Sequence, residues 1–370
     1  MIDFSGRYRY NSGGKETGTT PIKYAHREAM TMKKIRVAQI GIGHDHASGI
    51  FNAMWEMSDE VELVGYCTTE DDVPGFLTDR TEEYHGKPVL TLEEILADKS
   101  LDAITVETVD SVLTKYAKMA LDAGFPVHMD KPGGIDQAEF EEMCDTAKAK
   151  GLPLSLGYMY RFNPALREFE ERCKAGEFGD ILYVNAEMSC YHKPWKRNWL
   201  ANYPGGMMYF LGCHLVDLIY RLQGEPLEVI PLNAKSGLDD VESFDNAFAA
   251  FRYPKGTSFA RTSATERGGY QRRNVLIVCE NGTFELTPTE YRSSDEPGAD
   301  GDLLKTDYHL TTDTAWRASG EMQTTEEYHR YKNMLRAFFS SVQNGTPLPC
   351  TPDYEIRLHK VLLKACGEEK

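Results

Sequence analysis

Positive charge is in deficit in this sequence, long apolar runs are missing, and no two cysteines stand at CxxC spacing. Lys and Arg number 41 against 57 Asp and Glu, a net charge of −16. A polyanionic partner needs a concentrated basic field, so nucleic acid is excluded as the expected partner. A bilayer span needs about 18 or more consecutive apolar residues. The chain has no such run, and no membrane partner is expected. Cys67, Cys144, Cys173, Cys190, Cys213, Cys279, Cys350 and Cys366 are scattered, as in a cytosolic protein with reduced thiols. The opening "MIDFSGRYRYNSGGKETGTT" lacks the apolar core of a signal peptide, and a cytoplasmic location is expected.

What is present is enough for about two domains: 370 residues, 41% of them hydrophobic. Residues 1–31 form a separate zone rich in Gly, Thr, Tyr and Lys. It reads as a disordered arm, as an upstream start before Met30 or Met32, or as an arm anchored on a partner subunit by Tyr8, Tyr10 and Tyr24. From Lys33, apolar strand patterns ("KIRVAQIG", "VELVGYC", "LDAITVET", "PVHMDKP", "LPLSLGYMY") alternate with helical ones. That alternation predicts an α/β fold with a Rossmann-type doubly wound parallel sheet over residues 32–157. After Pro164 strands follow one another, joined by hairpin turns at "YPKGT" and "CENGT". Residues 158–370 are therefore expected to form an α+β domain with an open, mostly antiparallel sheet and two amphipathic C-terminal helices. A bare sheet face must be covered, so a homo-oligomer packed sheet to sheet is expected, a dimer or tetramer.

"GIGHDHASG", residues 41–49, follows the first strand and opens a helix. This is the setting of a dinucleotide fingerprint. Gly41 suits the tight turn, and Gly43 lets backbone N–H groups approach a pyrophosphate at the helix N-terminus. The third glycine of GxGxxG is His46, which leaves the motif imperfect. Two histidines around an aspartate also raise a metal site. Neighbours in a helix turn splay by about 100°, so at most two of His44, Asp45 and His46 share one ion. His128, His192 or His214 would have to complete the shell. The expectation is no metal, with these three residues beside the cofactor.

The second strand ends in "GYCTTEDD", and no Lys or Arg occurs from Val37 to Asp79. A 2′-phosphate would meet negative charge there, so NAD is expected over NADP, with Thr68 or Thr69 on the ribose hydroxyl in place of an acid.

"VHMDKP" places Asp130 and Lys131 at the carboxyl end of a parallel strand, where such sheets bind ligands. "GCHLVDL" sets His214 and Asp217 three apart on one helix. Together with "GIG", "YRFNP" and "PGG…LGCHLVD", these motifs resemble the Gfo/Idh/MocA family, that of glucose–fructose oxidoreductase and inositol dehydrogenase, over about residues 33–345. The resemblance implies that Lys131 matches the family's E-K-P lysine, which touches nicotinamide and reacting hydroxyl. Asp130 stands for its glutamate and His214 for its catalytic histidine. It further implies cofactor contacts from Glu107, Thr108, Asp110 and Arg161, although Val109 replaces the proline of the family's T-P-N segment.

One departure is marked. Four residues before the histidine the family often carries an aspartate, and here stands Phe210. The pocket loses a carboxylate and gains an aromatic face, to which Tyr158, Trp195 and Trp199 are expected to add. Cys213 is expected in the helix core rather than as a nucleophile. The expected function is NAD-dependent oxidation of a secondary hydroxyl of a sugar, glycoside or polyol, including C3 of a glucoside to a 3-keto sugar. Two alternatives stand beside it: NAD held tightly and recycled within one turnover, or a non-catalytic ligand-sensing relative.

Overall fold

The computed structural model describes residues 33–72, 81–294, 296 and 301–368. The expected N-terminal arm with Tyr8, Tyr10 and Tyr24 lies outside them. In chain order the first half runs β1 (Ile35–Ile40), α1 (Ala47–Glu56), β2 (Val61–Cys67), α2 (Leu92–Ala97), β3 (Ala103–Val106), α3 (Leu113–Asp122), β4 (Val127–Met129), α4 (Gln137–Lys150) and β5 (Leu154–Leu156). All five strands pair in parallel, in the order β2-β1-β3-β4-β5. β3, β4 and β5 are buried throughout, as expected for strands covered on both faces. The order reverses beside β1, so the crevice at the carboxyl ends of β1 and β3 is the ligand position of this architecture.

The second half begins with α5 (Pro164–Lys174), whose N-terminus is capped by the Asn163 side chain with Pro164 in the first turn. Next come β6 (Ile181–Glu187), α6 (Pro194–Trp199), a π-helical turn over Met208–Gly212 and α7 (Cys213–Gln223). The strands β7 (Glu228–Pro231), β8 (Asn246–Arg252), β9 (Thr257–Ser263), β10 (Asn274–Cys279), β11 (Gly282–Leu286), β12 (Tyr291–Arg292), β13 (Leu303–Lys305), β14 (Asp307–Thr311), β15 (Glu321–Thr324) and β16 (Tyr328–His329) follow. The chain closes with α8 (Arg330–Asn344) and α9 (Pro352–Cys366).

Eight of these strands form one sheet, β15-β14-β11-β10-β6-β9-β8-β7, antiparallel except for the β6–β9 pair. Both expected hairpins form, with Arg252 opposite Thr257 and Cys279 opposite Gly282. α7 packs on the inner face, where Val184, Ala186, Ala260, Val275 and Ile277 are buried. The stretch "KPWKRNWLANYPGG" contains helix α6, started by Pro194. No helix among the described residues is long and apolar enough to cross a membrane.

Candidate active site

The glycine loop leaves β1 with Gly41 at φ +86°, where a Cβ would also stand 2.5 Å from Thr108 Cγ2. Only glycine combines that backbone with that proximity. At Gly43 a Cβ would come 2.5 Å from Asp72 Oδ1 and 2.8 Å from Val109 Cγ1. α1 then starts at Ala47 without a side-chain cap; the His46 and Ala47 N–H groups donate back to His44, and the helix N-terminus lies beside the loop, where the dipole favours an anion. These features fit a dinucleotide pyrophosphate. Asp72 supplies what sequence reasoning missed: its Oδ2 accepts from the Thr69 N–H at 2.7 Å and the Ile42 N–H at 3.3 Å. The acid missing from the strand end is thus brought back by the turn, while the Thr68 side chain is exposed.

The two histidines do not splay away from each other. His46 Nδ1 lies 3.0 Å and His44 Nδ1 3.3 Å from the same oxygen, Asp130 Oδ2, at the end of β4. His44 Nε2 is 3.4 Å from Asp110 Oδ1, and Glu107 Oε2 is 3.9 Å from His44 Nδ1. Two of the three neighbours thus converge, as the spacing allows, while Asp45 turns away to Lys196; the residue that meets the two histidines is Asp130 rather than a further histidine. Neither His128 nor His192 joins them. His128 is buried beside Ser155 (Nδ1–Oγ 3.3 Å), its pKa lowered to about 4 by burial. Burial works against charge on Asp130, yet His44 and His46 hold its carboxyl well below the usual range. Burial, reinforced by Asp130, pushes Glu107 well up. Burial opposes a charged His44, but Asp130 and Asp110 raise it overall.

Lys131 is buried, and its Nζ reaches toward the Phe210 carbonyl (3.4 Å) and lies 5.1 Å from the Phe210 ring. Burial would neutralise it, but Cys213, Asp130 and Asp110 hold the ammonium above the ordinary lysine range. The π-helical turn carries Phe210 into this space. Such turns are rare and concentrate at functional sites. His214, on α7, stands edge-on to Tyr158 and Tyr160 (ring centroids 5.9 and 5.2 Å). Burial pushes its pKa well down, and the Lys131 charge adds to the effect, so its imidazole is neutral. Cys213 is buried, and burial raises its thiol to about 12, in keeping with a core role.

α6 contributes a residue with no motif to announce it. Lys196 Nζ donates to Asp45 Oδ2 at 2.7 Å and lies over the rings of Trp199 (3.7 Å) and Phe210 (4.5 Å). Phe210 therefore has an ammonium from each half of the molecule near its ring. Trp199 meets Phe210 edge-on at 5.5 Å, whereas Trp195 is 56% exposed. Arg161 also departs from expectation. Its guanidinium is buried between Asp217 (Nη2–Oδ1 2.8 Å) and Glu355, a framework joining α7 and α9, and its donors are engaged there. The Tyr158 ring lies against the same guanidinium at 4.4 Å. At the acidic turn, α3 supplies a cation that the local sequence lacks: Lys115 Nζ reaches Asp71 (2.8 Å) and Glu70 (3.1 Å).

A parallel sheet with a glycine loop at its reversal point, with Lys131, Phe210 and His214 nearby, defines a dinucleotide-type crevice. Sequence profiles agree. One described as "Oxidoreductase family, NAD-binding Rossmann fold" matches residues 35–158, and one described as "GFO/IDH/MocA C-terminal domain" matches residues 166–285. The chain belongs to the Gfo/Idh/MocA oxidoreductase family.

It is similar to scyllo-inositol 2-dehydrogenase (NADP(+)) IolW of Bacillus subtilis, 23% identical across 91% of this chain and 95% of that one. It is also similar to D-glucoside 3-dehydrogenase of Escherichia coli, 28% identical across 57% of this chain and 60% of that one. Several other curated relatives are matched over less than half their own length. Among solved structures, GenD2 from gentamicin A biosynthesis in complex with NAD superposes with a TM-score of 0.69 at 19% identity, covering 94% and 96% of the two chains.

Proposed function

We propose that this protein oxidises a secondary hydroxyl of a sugar, glycoside or polyol, with NAD as hydride acceptor. The observation that carries the reading is the convergence of Lys131 and His214 beside the glycine-loop crevice, one held cationic and the other neutral. NAD, when bound along Gly41, Gly43 and the α1 N-terminus, supplies the hydride acceptor. The chain's own groups handle the proton. Lys131 donates toward the substrate oxygen and stabilises developing alkoxide charge, and neutral His214 accepts the hydroxyl proton. Phe210 and Trp199 offer aromatic faces to a sugar ring, which favours a glycoside. Asp72 and the acidic turn favour NAD, since Lys115 is already paired with two carboxylates.

The division near residues 157 and 158 assigns cofactor binding to the first half and substrate binding to the second. The outer sheet face carries half-exposed Phe248, Phe259, Leu276 and Val278, which suits a homo-oligomer packed through that face. Absorbance at the reduced-nicotinamide band, followed with a panel of sugars, polyols and glycosides, tests the activity. Sugar-dependent reduction of NAD that disappears in Lys131→Met is expected. Absence of any reduction by protein that binds NAD would turn the reading toward a ligand-sensing role.

A further inference from the structure

The cluster behind the glycine loop has more ligand atoms than the dehydrogenase chemistry uses. We infer that His44, His46 and Asp130 bind a divalent transition-metal ion of the zinc class, with the Glu107 carboxyl beside it. One ring nitrogen from each histidine and one Asp130 oxygen lie within 4.8 Å of one another. The two edges to Asp130 Oδ2 are 3.0 and 3.3 Å. A tetrahedral ion with ligands at about 2.0–2.1 Å spaces its donors by about 3.3 Å. Two of the three edges match that spacing, and the third is no longer than 4.8 Å.

One further observation points to a cation. The Glu107 side chain is fully buried, and neither of its oxygens receives a hydrogen bond. Buried polar atoms are normally paired, and a carboxylate left without donors calls for a proton or an ion. Lys131 does not take the position itself, since its Nζ is turned to the Phe210 carbonyl.

Two imidazoles and a carboxylate select zinc, cobalt or manganese over magnesium, whose ligands are oxygens. His46, with 20% of its side chain exposed, leaves the ion an open side toward solvent. An oxygen ligand could enter there.

The inference is independent of turnover and is tested without substrate. Chelator-stripped full-length protein is titrated with Co2+ in the visible region, then with Zn2+ in competition. One equivalent of cobalt with visible absorption, displaced by Zn2+ and not by Mg2+, is expected. His46→Gln should weaken binding by more than the roughly 10- to 100-fold that loss of an outer partner costs. His192→Gln, which removes an imidazole outside the cluster, should leave it unchanged. Far-UV circular dichroism and a cooperative melting transition confirm that each variant is folded. If His46→Gln does not fold, a rise in melting temperature of the stripped wild-type protein with Zn2+ but not Mg2+ carries the test. No saturable cobalt binding, or equal binding by wild type and folded His46→Gln, overturns the inference and leaves protons as the neutralising charges.

Discussion

Lys196 Nζ stands 2.7 Å from Asp45 Oδ2, joining α6 of the second half to the glycine loop of the first. Burial would raise the Asp45 pKa, but Lys196 holds it low. The same burial lowers Lys196 itself. A charged hydrogen bond of this kind contributes about 1.5–3 kcal/mol, or roughly 10- to 100-fold in an equilibrium. Lys196→Met should weaken NAD binding or raise the substrate KM within that range. Calorimetry and initial rates read the two separately, and a variant unchanged in both would reduce the pair to a surface contact.

The His214 base has a pH signature. Its pKa is lowered, so the neutral, proton-accepting form persists below the ordinary imidazole range. Oxidation should therefore stay high through neutral pH and fall only as pH drops below about 6.5. Lys131 remains protonated across the same window, its pKa being raised. His214→Ala should abolish the acid limb and lower kcat by on the order of 10² or more. A pH–rate profile with an acid limb persisting in His214→Ala would move the base to His192, whereas full turnover without that limb would move it to Tyr158 or Tyr160.

Phe210 lies close to two ammonium groups, 5.1 Å from that of Lys131 and 4.5 Å from that of Lys196. Phe210→Ala removes the aromatic surface and both cation–π contacts. The substrate KM should rise about 10-fold or more for an aryl glycoside, consistent with contacts of about 0.5–2 kcal/mol each, and less for a free sugar. Equal losses for both substrates would argue against aromatic recognition of the aglycone.

Arg161 tests framework against cofactor contact. Arg161→Met leaves Asp217 and Glu355 buried without their cation, a change that costs about 3–5 kcal/mol. The melting temperature should fall by several degrees, with NAD affinity of the folded fraction unchanged. Loss of NAD affinity at unchanged stability would restore the cofactor role.

Cofactor choice is decided at the second-strand turn. NAD should bind more tightly than NADP, and Thr69→Arg should narrow the difference. Asp72→Ala should lower NAD affinity, since it removes the carboxylate that holds Ile42 and Thr69 N–H groups at the loop. Equal affinities for the two dinucleotides in the wild-type protein would show that Lys115 is released to a 2′-phosphate.

Much of this was legible in the order of residues. Apolar runs bounded by glycine and proline located all five parallel strands, because buried strands and their turns are specified locally. The hairpins at "YPKGT" and "CENGT" and the two C-terminal helices followed in the same way. The glycine loop and Lys131 were placed by position relative to those elements, and the resemblance to the Gfo/Idh/MocA family singled out His214 and the role of Lys131.

What stayed hidden depends on distance through space rather than along the chain. Lys196 comes to Asp45 from 151 residues away, Arg161 to Glu355 from 194, and Lys115 to Asp71 from 44. Charge pairing at such separations leaves no periodic trace. His44 and His46 illustrate the boundary. Their types and spacing were plain in the sequence, but whether they diverge or meet on Asp130 depends on where α1 begins and where β4 ends. The sequence by itself determined the strands, the turns and the chemical groups on offer. Only the tertiary structure decided which buried charges face one another, because burial removes the solvent screening that would otherwise make their arrangement unimportant.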